Sequence, residues 1–187
     1  MERQIDALID LQEAFCEPDF QLVKTIGKCV KFHSDKKTWY DAYKACRGDK
    51  RSMLLKVESQ LVQDWLNGHD DAKDEAWIGA SNHLDKYRGW VWADGKTLNE
   101  TGYFHWHANE PNNGDHTIVG GEHCVVINYR YPNDPEGAER KGWWNDEMCE
   151  DQSQLHAFWC ELRPCTLACL SPQRLKPMPE QTTELDM

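Results

Sequence analysis

Side chains that carry oxygen ligands are concentrated in three short segments of this chain. Glu110 and Asn112 flank a proline, Glu122 precedes an apolar run, and Asn145 and Asp146 follow two tryptophans. Calcium prefers about six to eight hard oxygens from carboxylates, amide carbonyls and backbone. Three carboxylates would neutralise a divalent ion, and two amides would add ligands without adding charge. These residue types therefore predict a calcium site, provided that the fold brings the three segments together.

The proline offers a reason for the spacing of the first two candidate ligands. A cis bond before proline costs only about 0.5–1 kcal/mol, whereas other cis peptide bonds cost several. With a cis Glu110-Pro111 bond, the side chains of Glu110 and Asn112 could converge on one ion. The alternative is an ordinary polar turn, because Asn, Asp, Glu, Pro and Gly are also the usual turn residues. Spacing alone leaves both interpretations open.

Other chemistries have weaker support in the sequence. Four histidines lie in the same region: His105, His107, His116 and His123. They show no HExxH or other fixed-spacing ligand pair, so scattered surface histidines are favoured over a zinc site. The carboxylates at 110 and 122 could in principle act in acid–base catalysis, but a bound ion would keep them ionised. We expect that the protein is not an enzyme.

The net charge, the apolar runs and the cysteine content indicate which kinds of partner and which cellular compartment suit the protein. The formal net charge is −11 over 187 residues, which argues against nucleic-acid binding because that needs a basic patch. No apolar run reaches the roughly 18–20 residues of a membrane span. Eight dispersed cysteines favour disulfides and a secreted, extracellular protein over a zinc cluster. The first residues lack the apolar core of a signal peptide, so secretion would require that a leader has been removed.

Two helices and several short strands are expected to position the candidate ligands. Thr38 is a plausible N-cap for a helix with an apolar face of Trp39, Ala42, Tyr43 and Cys46. Ser59 is expected to cap a second helix, which ends at Asn67-Gly68 and has an apolar stripe of Leu61, Val62, Trp65 and Leu66. Strands are predicted at 29–32, 76–80, 89–95, 122–129, 143–149 and 156–162. This order predicts an α+β fold, with two helices and small antiparallel sheets.

The remaining segments are a long connection and the two ends of the chain. Residues 79–121 form an unusually long loop region, and its aromatic residues favour an ordered, functional loop over disorder. Residues 2–15 read as an amphipathic helix that includes Phe15, either docked on the domain or left from an oligomerising coiled-coil neck. The proline-rich tail shows no periodicity. The predicted organisation is therefore 1–15 helix or neck, 16–163 domain, and 164–187 largely disordered tail.

Eight short motifs follow one another along about residues 16–163: "CEPDF", "GKCVKF", "WIGA", "WVWADG", "EPN", "EHC", "WND" and "FWCE". In this order they resemble the motifs of the C-type lectin domain family, in its long form with an N-terminal hairpin. The resemblance implies the disulfides Cys16–Cys29, Cys46–Cys160 and Cys124–Cys149, whereas cysteine count alone leaves the pairing open. Cys165 and Cys169 then remain to pair with each other or to bridge to a second chain.

The same resemblance implies a function for the candidate ligands. The family's principal calcium site falls on Glu110, Asn112, Glu122, Asn145 and Asp146, with Asp146 binding through its side chain and its backbone carbonyl. Two ligand positions are then left for vicinal sugar hydroxyls. Glu-Pro-Asn accompanies mannose-type sugars in this family (mannose, glucose, fucose, N-acetylglucosamine), with galactose or broader specificity left open. The expected partners are mannose-type glycans or glycoproteins. The alternative is an acidic calcium-binding matrix protein that reuses the fold.

Some features depart from the family pattern or remain open. The loop from Asn113 to Gly121 is longer than in short members. The positions of an auxiliary calcium carry Asn82, Lys86 and His123, which argues against that ion. An acidic insert, with Asp134, Glu136 and Glu139, either extends the sugar contact or is a solvated loop. Trp143 is a candidate for contact with a sugar face, and Trp144 is expected to be buried. The triplet Asn99-Glu100-Thr101 permits glycosylation, and immune, feeding or matrix roles stay open.

Overall fold

The computed structural model describes residues 14–48, 52–69, 75–84, 87–114, 120–128 and 142–166. Within these ranges the helices are α1 (Trp39–Gly48), α2 (Gln60–Gly68) and α3 (Leu98–Thr101). The strands are β1 (Gln21–Val23), β2 (Lys28–Lys37), β3 (Met53–Leu54), β4 (Ala76–Ser81), β5 (Val91–Trp92), β6 (Cys124–Ile127), β7 (Trp144–Glu147) and β8 (His156–Leu162). In the described ranges, none of the helices combines the length and apolar character that crossing a bilayer requires.

The strands form one sheet in the order β1-β2-β8-β4-β6-β7, with β3 paired to β8 and β5 paired to β4. The predicted α+β class is confirmed, whereas the number of helices and the type of sheet differ from the prediction. The described strands form one sheet, whereas we predicted several small ones. This sheet is mixed rather than antiparallel, because β4 and β8 run parallel. The described chain also holds a third helix, the short α3, in the region that we predicted to be loop.

Both long helices begin where the sequence predicts. The amide of Asp41 donates to the Thr38 hydroxyl at 3.3 Å, and the amide of Val62 donates to the Ser59 hydroxyl at 3.4 Å. The predicted stripe of α2 is wrong at Leu61, which is 55 % exposed. Gln63 is fully buried on the inner face of the helix instead. Apolar periodicity does not identify Gln63 as buried, because a polar side chain is buried here to accept a hydrogen bond from the Trp144 indole.

A close approach between β4 and the segment after β3 explains the glycine of "WIGA". The Gly79 amide donates to the Leu55 carbonyl at 2.8 Å. A Cβ added at Gly79 would lie 2.6 Å from the Leu54 carbonyl oxygen, which is closer than real Cβ contacts. Glycine therefore lets β4, all six residues of which are buried, pack directly against the neighbouring backbone.

Disulfides tie the elements together in the pairing that the family resemblance implies. The three bonds are Cys16–Cys29, Cys46–Cys160 and Cys124–Cys149. The second joins α1 to β8, and the third joins β6 to the turn that follows β7. Cys165 is also disulfide-bonded, and Cys169, one of the two partners that the sequence leaves open for it, lies outside the described residues.

The start and the end of the described chain lie side by side. Phe15 and Cys165 form an antiparallel bridge in which each amide donates to the other residue's carbonyl at 2.8 Å. The helix predicted for 2–15 is therefore wrong at Phe15, whose backbone groups pair with another segment, and its first twelve residues lie outside the description. Cys165, at the start of the predicted tail 164–187, takes part in this bridge, and the domain boundaries stay a prediction.

The long connection between β4 and β6 is ordered over its described residues. The strand predicted at 89–95 is confined to Val91–Trp92. Thr97 and Glu100 form a reciprocal capping box at the start of α3, a pattern of the kind that marks helix starts. Trp92 is fully buried and meets Trp144 edge-on, with ring centroids 5.7 Å apart. Aromatic packing therefore anchors this connection against β7, where two of the candidate ligands lie.

Candidate functional site

β7 carries Asn145 and Asp146 at the edge of the sheet. It pairs antiparallel with β6, which places Asn145 opposite Val126 and Asp146 opposite Val125. Trp144 is fully buried on the core side of the strand, as predicted. Its indole N–H donates to the Gln63 side-chain oxygen at 3.0 Å. Helix α2 therefore fixes the start of the strand that presents both residues.

The Glu110 loop is attached to the other side of β7. The Trp144 amide donates to the His105 carbonyl and the His107 amide donates to the Trp144 carbonyl, both at 2.9 Å. The Glu110 amide then donates to the His107 carbonyl at 3.1 Å. These bonds place the loop directly after a segment that runs parallel to β7. Sequence separation therefore becomes spatial proximity: residues near 110 and near 145 meet at one end of this strand.

The carboxylate of Asp146 joins the two halves of the site. It accepts the amide of Asn112 at 3.0 Å through Oδ1 and the amide of Asn113 at 2.9 Å through Oδ2. The Glu110-Pro111 peptide bond is cis, as predicted. The Asn112 side-chain amide donates to Glu110 Oε1 at 3.0 Å, and the Asn145 side-chain amide donates to the Asp146 carbonyl at 2.8 Å. Four of the five predicted residues thus share one hydrogen-bonded network.

Glu122 reaches this network through Asn113. The Glu122 amide donates to the Asn113 side-chain oxygen at 2.9 Å, and the Glu122 residue is only 8 % exposed. Burial is the largest cause that raises the pKa of Glu122 to about 7, and the negative charges of Asp146, Glu147 and, more weakly, Glu110 contribute to that rise. The fold therefore concentrates negative charge around a carboxylate that has little water to stabilise it.

This set of residues fits a divalent cation by its chemistry. Three carboxylates and two amides supply the hard oxygens that calcium prefers, and a cation would offset the repulsion that raises the pKa of Glu122. The side chains are not arranged as a finished cage: in the described ranges, no three His, Cys, Asp or Glu side chains group closely enough to enclose an ion. Binding would require the Asn145 amide to present its oxygen to the ion, whereas its nitrogen now donates to the Asp146 carbonyl.

Asn113 is a site residue that sequence reasoning missed. Its amide binds Asp146, its side chain binds Glu122, and its backbone is left-handed with φ 57°. Asparagine tolerates this conformation better than most residues. The Asn-Gly pair at 113–114 is a visible turn signal, but nothing local indicates that the turn would connect the Asp146 carboxylate to the Glu122 backbone.

A cluster of polar side chains that the sequence analysis did not identify lies against Gly142, just before β7. The Gly142 amide donates to the Asn128 side-chain oxygen at 2.6 Å. The glycine has φ 86°, and a Cβ there would overlap the side chains of Gln63 and Asn67. Gln63 in turn donates to Asn67 at 2.9 Å. This polar cluster determines where the chain enters β7.

The other residues singled out in the sequence lie in different places. His105 and His107 contact Trp143, whereas the His123 ring stacks on His83 with centroids 3.9 Å apart. The three described histidines of the group noted in the sequence therefore do not share one site. Trp143 is 38 % exposed. Asn82 donates its backbone amide to the His123 carbonyl at 3.1 Å. The following lie outside the described residues: His116, Lys86, Asp134, Glu136 and Glu139.

Comparison with known proteins gives consistent matches. The Lectin C-type domain model matches residues 35–162. The low affinity immunoglobulin epsilon Fc receptor of Mus musculus is 35 % identical over 158 residues, which are 82 % of this chain but only 41 % of the receptor. The human scavenger receptor C-type lectin carbohydrate-recognition domain is 27 % identical, with TM-score 0.61 over 80 % of this chain and 99 % of that one. The cow CD23 C-type carbohydrate-recognition domain, crystallised in the presence of a GlcNAc2Man3 oligosaccharide, is 26 % identical, with TM-score 0.61 over 80 % and 97 %.

Proposed function

Because the chain belongs to the C-type lectin domain family, we propose that it binds carbohydrate in a calcium-dependent manner and prefers mannose-type sugars. The proposed ligands of the ion are Glu110, Asn112, Glu122, Asn145 and Asp146. The observation that carries the proposal is the bonding of Asp146 to the amides of Asn112 and Asn113. It joins the cis-proline loop to β7, so that both halves of the predicted site lie together.

The five side chains can do more than hold an ion. A bound calcium would supply coordination positions for the lone pairs of two vicinal sugar hydroxyls. Glu110 and Glu122 can accept the hydroxyl protons, while the amide N–H groups of Asn112 and Asn145 can donate to the hydroxyl oxygens. Only a diol with the correct relative orientation satisfies all of these bonds at once. The Glu-Pro-Asn sequence favours the equatorial pair of mannose-type sugars, and galactose is the alternative that the assay below separates.

The comparisons support carbohydrate as the class of ligand. Two of the similar solved structures are described as carbohydrate-recognition domains, and one was obtained with an oligosaccharide that contains mannose. The Fc receptor is named for an antibody ligand, so family membership alone does not define what this chain binds. An acidic matrix protein, consistent with the net charge of −11, remains the competing function. Disulfides support an oxidising, extracellular location, and the absence of enzymatic activity stays a prediction.

The decisive measurement is a glycan array probed in calcium and again in EDTA. We expect mannose-terminated glycans to be retained in calcium, released by EDTA, and retained again when calcium is restored. Asp146→Asn should abolish retention, because it removes a ligand charge and replaces one of the two acceptor oxygens with an NH2 group, which would face a backbone N–H of Asn112 or Asn113. Asp151→Asn is the matched control, since Asp151 lies in the turn beyond β7 and binds Ser153.

Each outcome of this assay has a definite meaning. Sugar binding that persists in EDTA would refute calcium dependence. Calcium binding that no sugar affects would favour the matrix function instead. Retention of galactose-terminated glycans alone would overturn the mannose preference but leave the lectin function standing.

Single sugars bind weakly at a site that contacts only two hydroxyls, so linked copies would raise the overall affinity. We propose a homo-oligomer, with the segment before Phe15 as the connecting element. Light scattering of the native protein and of a variant that begins at Phe15 tests this connection. A monomeric native protein would refute the proposal.

A further inference from the structure

Four rings form a continuous surface feature, which we call the aromatic shelf: Tyr103, His105, His107 and Trp143. The His105 and Trp143 rings are stacked, with centroids 4.3 Å apart and planes within 6°. Tyr103 lies parallel to His105 at 6.4 Å and 5°. His107 meets Trp143 edge-on at 6.0 Å and 88°. The rings are therefore fixed against one another rather than scattered over the surface.

The shelf adjoins the proposed calcium site through backbone pairing. Trp106 and Trp144 form a parallel bridge, which sets His105 beside Trp143 and His107 beside Asn145. Side chains two residues apart on a strand point to the same face, and their Cα atoms are about 7 Å apart. Trp143 thus stands next to Asn145 on the same face. The bond from the Glu110 amide to the His107 carbonyl ties the other half of the shelf to the cis-proline loop.

The Trp143 ring is accessible to solvent although it takes part in the stack. Its neighbour Trp144 is fully buried, whereas Trp143 is 38 % exposed even with His105 stacked on it. Burial lowers the pKa of His105, which favours the uncharged form of the stacked imidazole. The result is a rigid, neutral indole face that is open to solvent beside a cluster of carboxylates and amides.

We propose that the aromatic shelf holds the second sugar residue of an oligosaccharide whose terminal residue occupies the proposed calcium site. The inference rests on the proposed function and deepens it. The C–H bonds on one face of a pyranose ring carry slight positive charge and suit the negative face of an indole. Its hydroxyls, at the rim, would meet His107 and the polar site. An apolar partner would leave these polar groups without water or hydrogen bonds, so a sugar fits the surface better.

The test compares the calcium-loaded native protein with Trp143→Ala, using methyl α-mannoside and mannose-terminated di- and trisaccharides as probes. We expect the native protein to bind the larger sugars more tightly than the monosaccharide. Trp143→Ala should reduce that preference about three- to tenfold, the usual scale of an aromatic contact, and leave monosaccharide affinity within about twofold. Trp143→Phe should restore most of the preference. Phe104→Ala is the matched control, because Phe104 is an exposed aromatic on the same segment, at 58 %.

The outcomes separate this inference from the proposed function. If the native protein binds no sugar in calcium, both fail. If it binds the monosaccharide and Trp143→Ala keeps the native preference for larger sugars, only the shelf is refuted. Equal loss of all probes in Trp143→Ala would also refute the shelf, since it would show that Trp143 supports the calcium site rather than a second sugar.

Discussion

Replacing Gln63 with methionine tests whether α2 supports the candidate site through a buried polar bond. Gln63 is fully buried, its oxygen accepts the Trp144 indole N–H at 3.0 Å, and its nitrogen donates to Asn67 at 2.9 Å. Methionine has a similar shape and flexibility, so Gln63→Met leaves little cavity. What it removes is the acceptor of a buried indole donor.

The size of the effect follows from that stranded donor. Leaving a buried donor unpaired lowers the free energy of unfolding by about 1–3 kcal/mol. For a domain of this size, each kcal/mol lowers the melting temperature by roughly 2–4 °C, so the middle of the range corresponds to roughly 4–8 °C. Gln60→Met is the control, because Gln60 is exposed on the same helix and its partners Tyr103 and Asp64 can bond to water instead. We expect that change to stay within about 0.5 kcal/mol.

The assay is thermal and urea unfolding with disulfides intact, in EDTA, so that ion binding does not add to the measured stability. A second measurement compares calcium affinity, which should fall in Gln63→Met because Trp144 directly precedes the ligand Asn145. Equal stability of the two variants would refute the role that we assign to the indole bond. Lower stability with unchanged calcium affinity would show that the bond supports the fold but not the site.

Two further predictions concern Glu122 and Gly79. The folded-state pKa of Glu122 is raised from 4.5 to about 7, so below pH 7 calcium must displace a proton from this carboxyl group. Calcium affinity, measured by titration calorimetry, should therefore fall as the pH drops. An affinity that does not change with pH would contradict this. The free energy of unfolding of the calcium-free protein should change in the opposite direction. The folded state binds the Glu122 proton more tightly than the unfolded state does, so this free energy should rise as the pH falls from 7 toward 4.5. Glu122→Gln should remove this pH dependence. Gly79→Ala should lower the free energy of unfolding by about 1–3 kcal/mol, because the added Cβ would press on the Leu54 carbonyl. Urea unfolding measures this change. A variant as stable as the native protein would show that the two backbone segments can move apart to accommodate the methyl group.

Features with local causes were predictable from the sequence. Thr38 and Ser59 cap their helices as expected, since a hydroxyl placed before an apolar-periodic run accepts an amide of the first turn whatever the rest of the fold does. The strand at 156–162 was also predicted with its observed bounds. The cysteine pairing required the family resemblance, because spacing alone allows many pairings.

Features that depend on distant partners were not predictable. Gln63 is buried because Trp144, far along the chain, needs an acceptor, and nothing near Gln63 indicates this. Asn113 connects Asp146 to Glu122 only after β6 and β7 have paired. The residue types at the candidate site could be predicted from the preferences of calcium, but the side-chain orientations could not, and the role of the five ligands remains a prediction.

The bridge between Phe15 and Cys165 also determines how force would pass through the molecule. Phe15 precedes β1 and Cys165 follows β8, so both ends of the described domain leave from the half of the sheet that contains β1, β2 and β8, whereas β7, with the candidate site, is the strand at the opposite edge. A pull applied at the two ends would therefore load this bridge and the pairing of β1, β2 and β8 first. Attachment to a surface through either end would keep β7 at the edge of the sheet that is farther from the attached half.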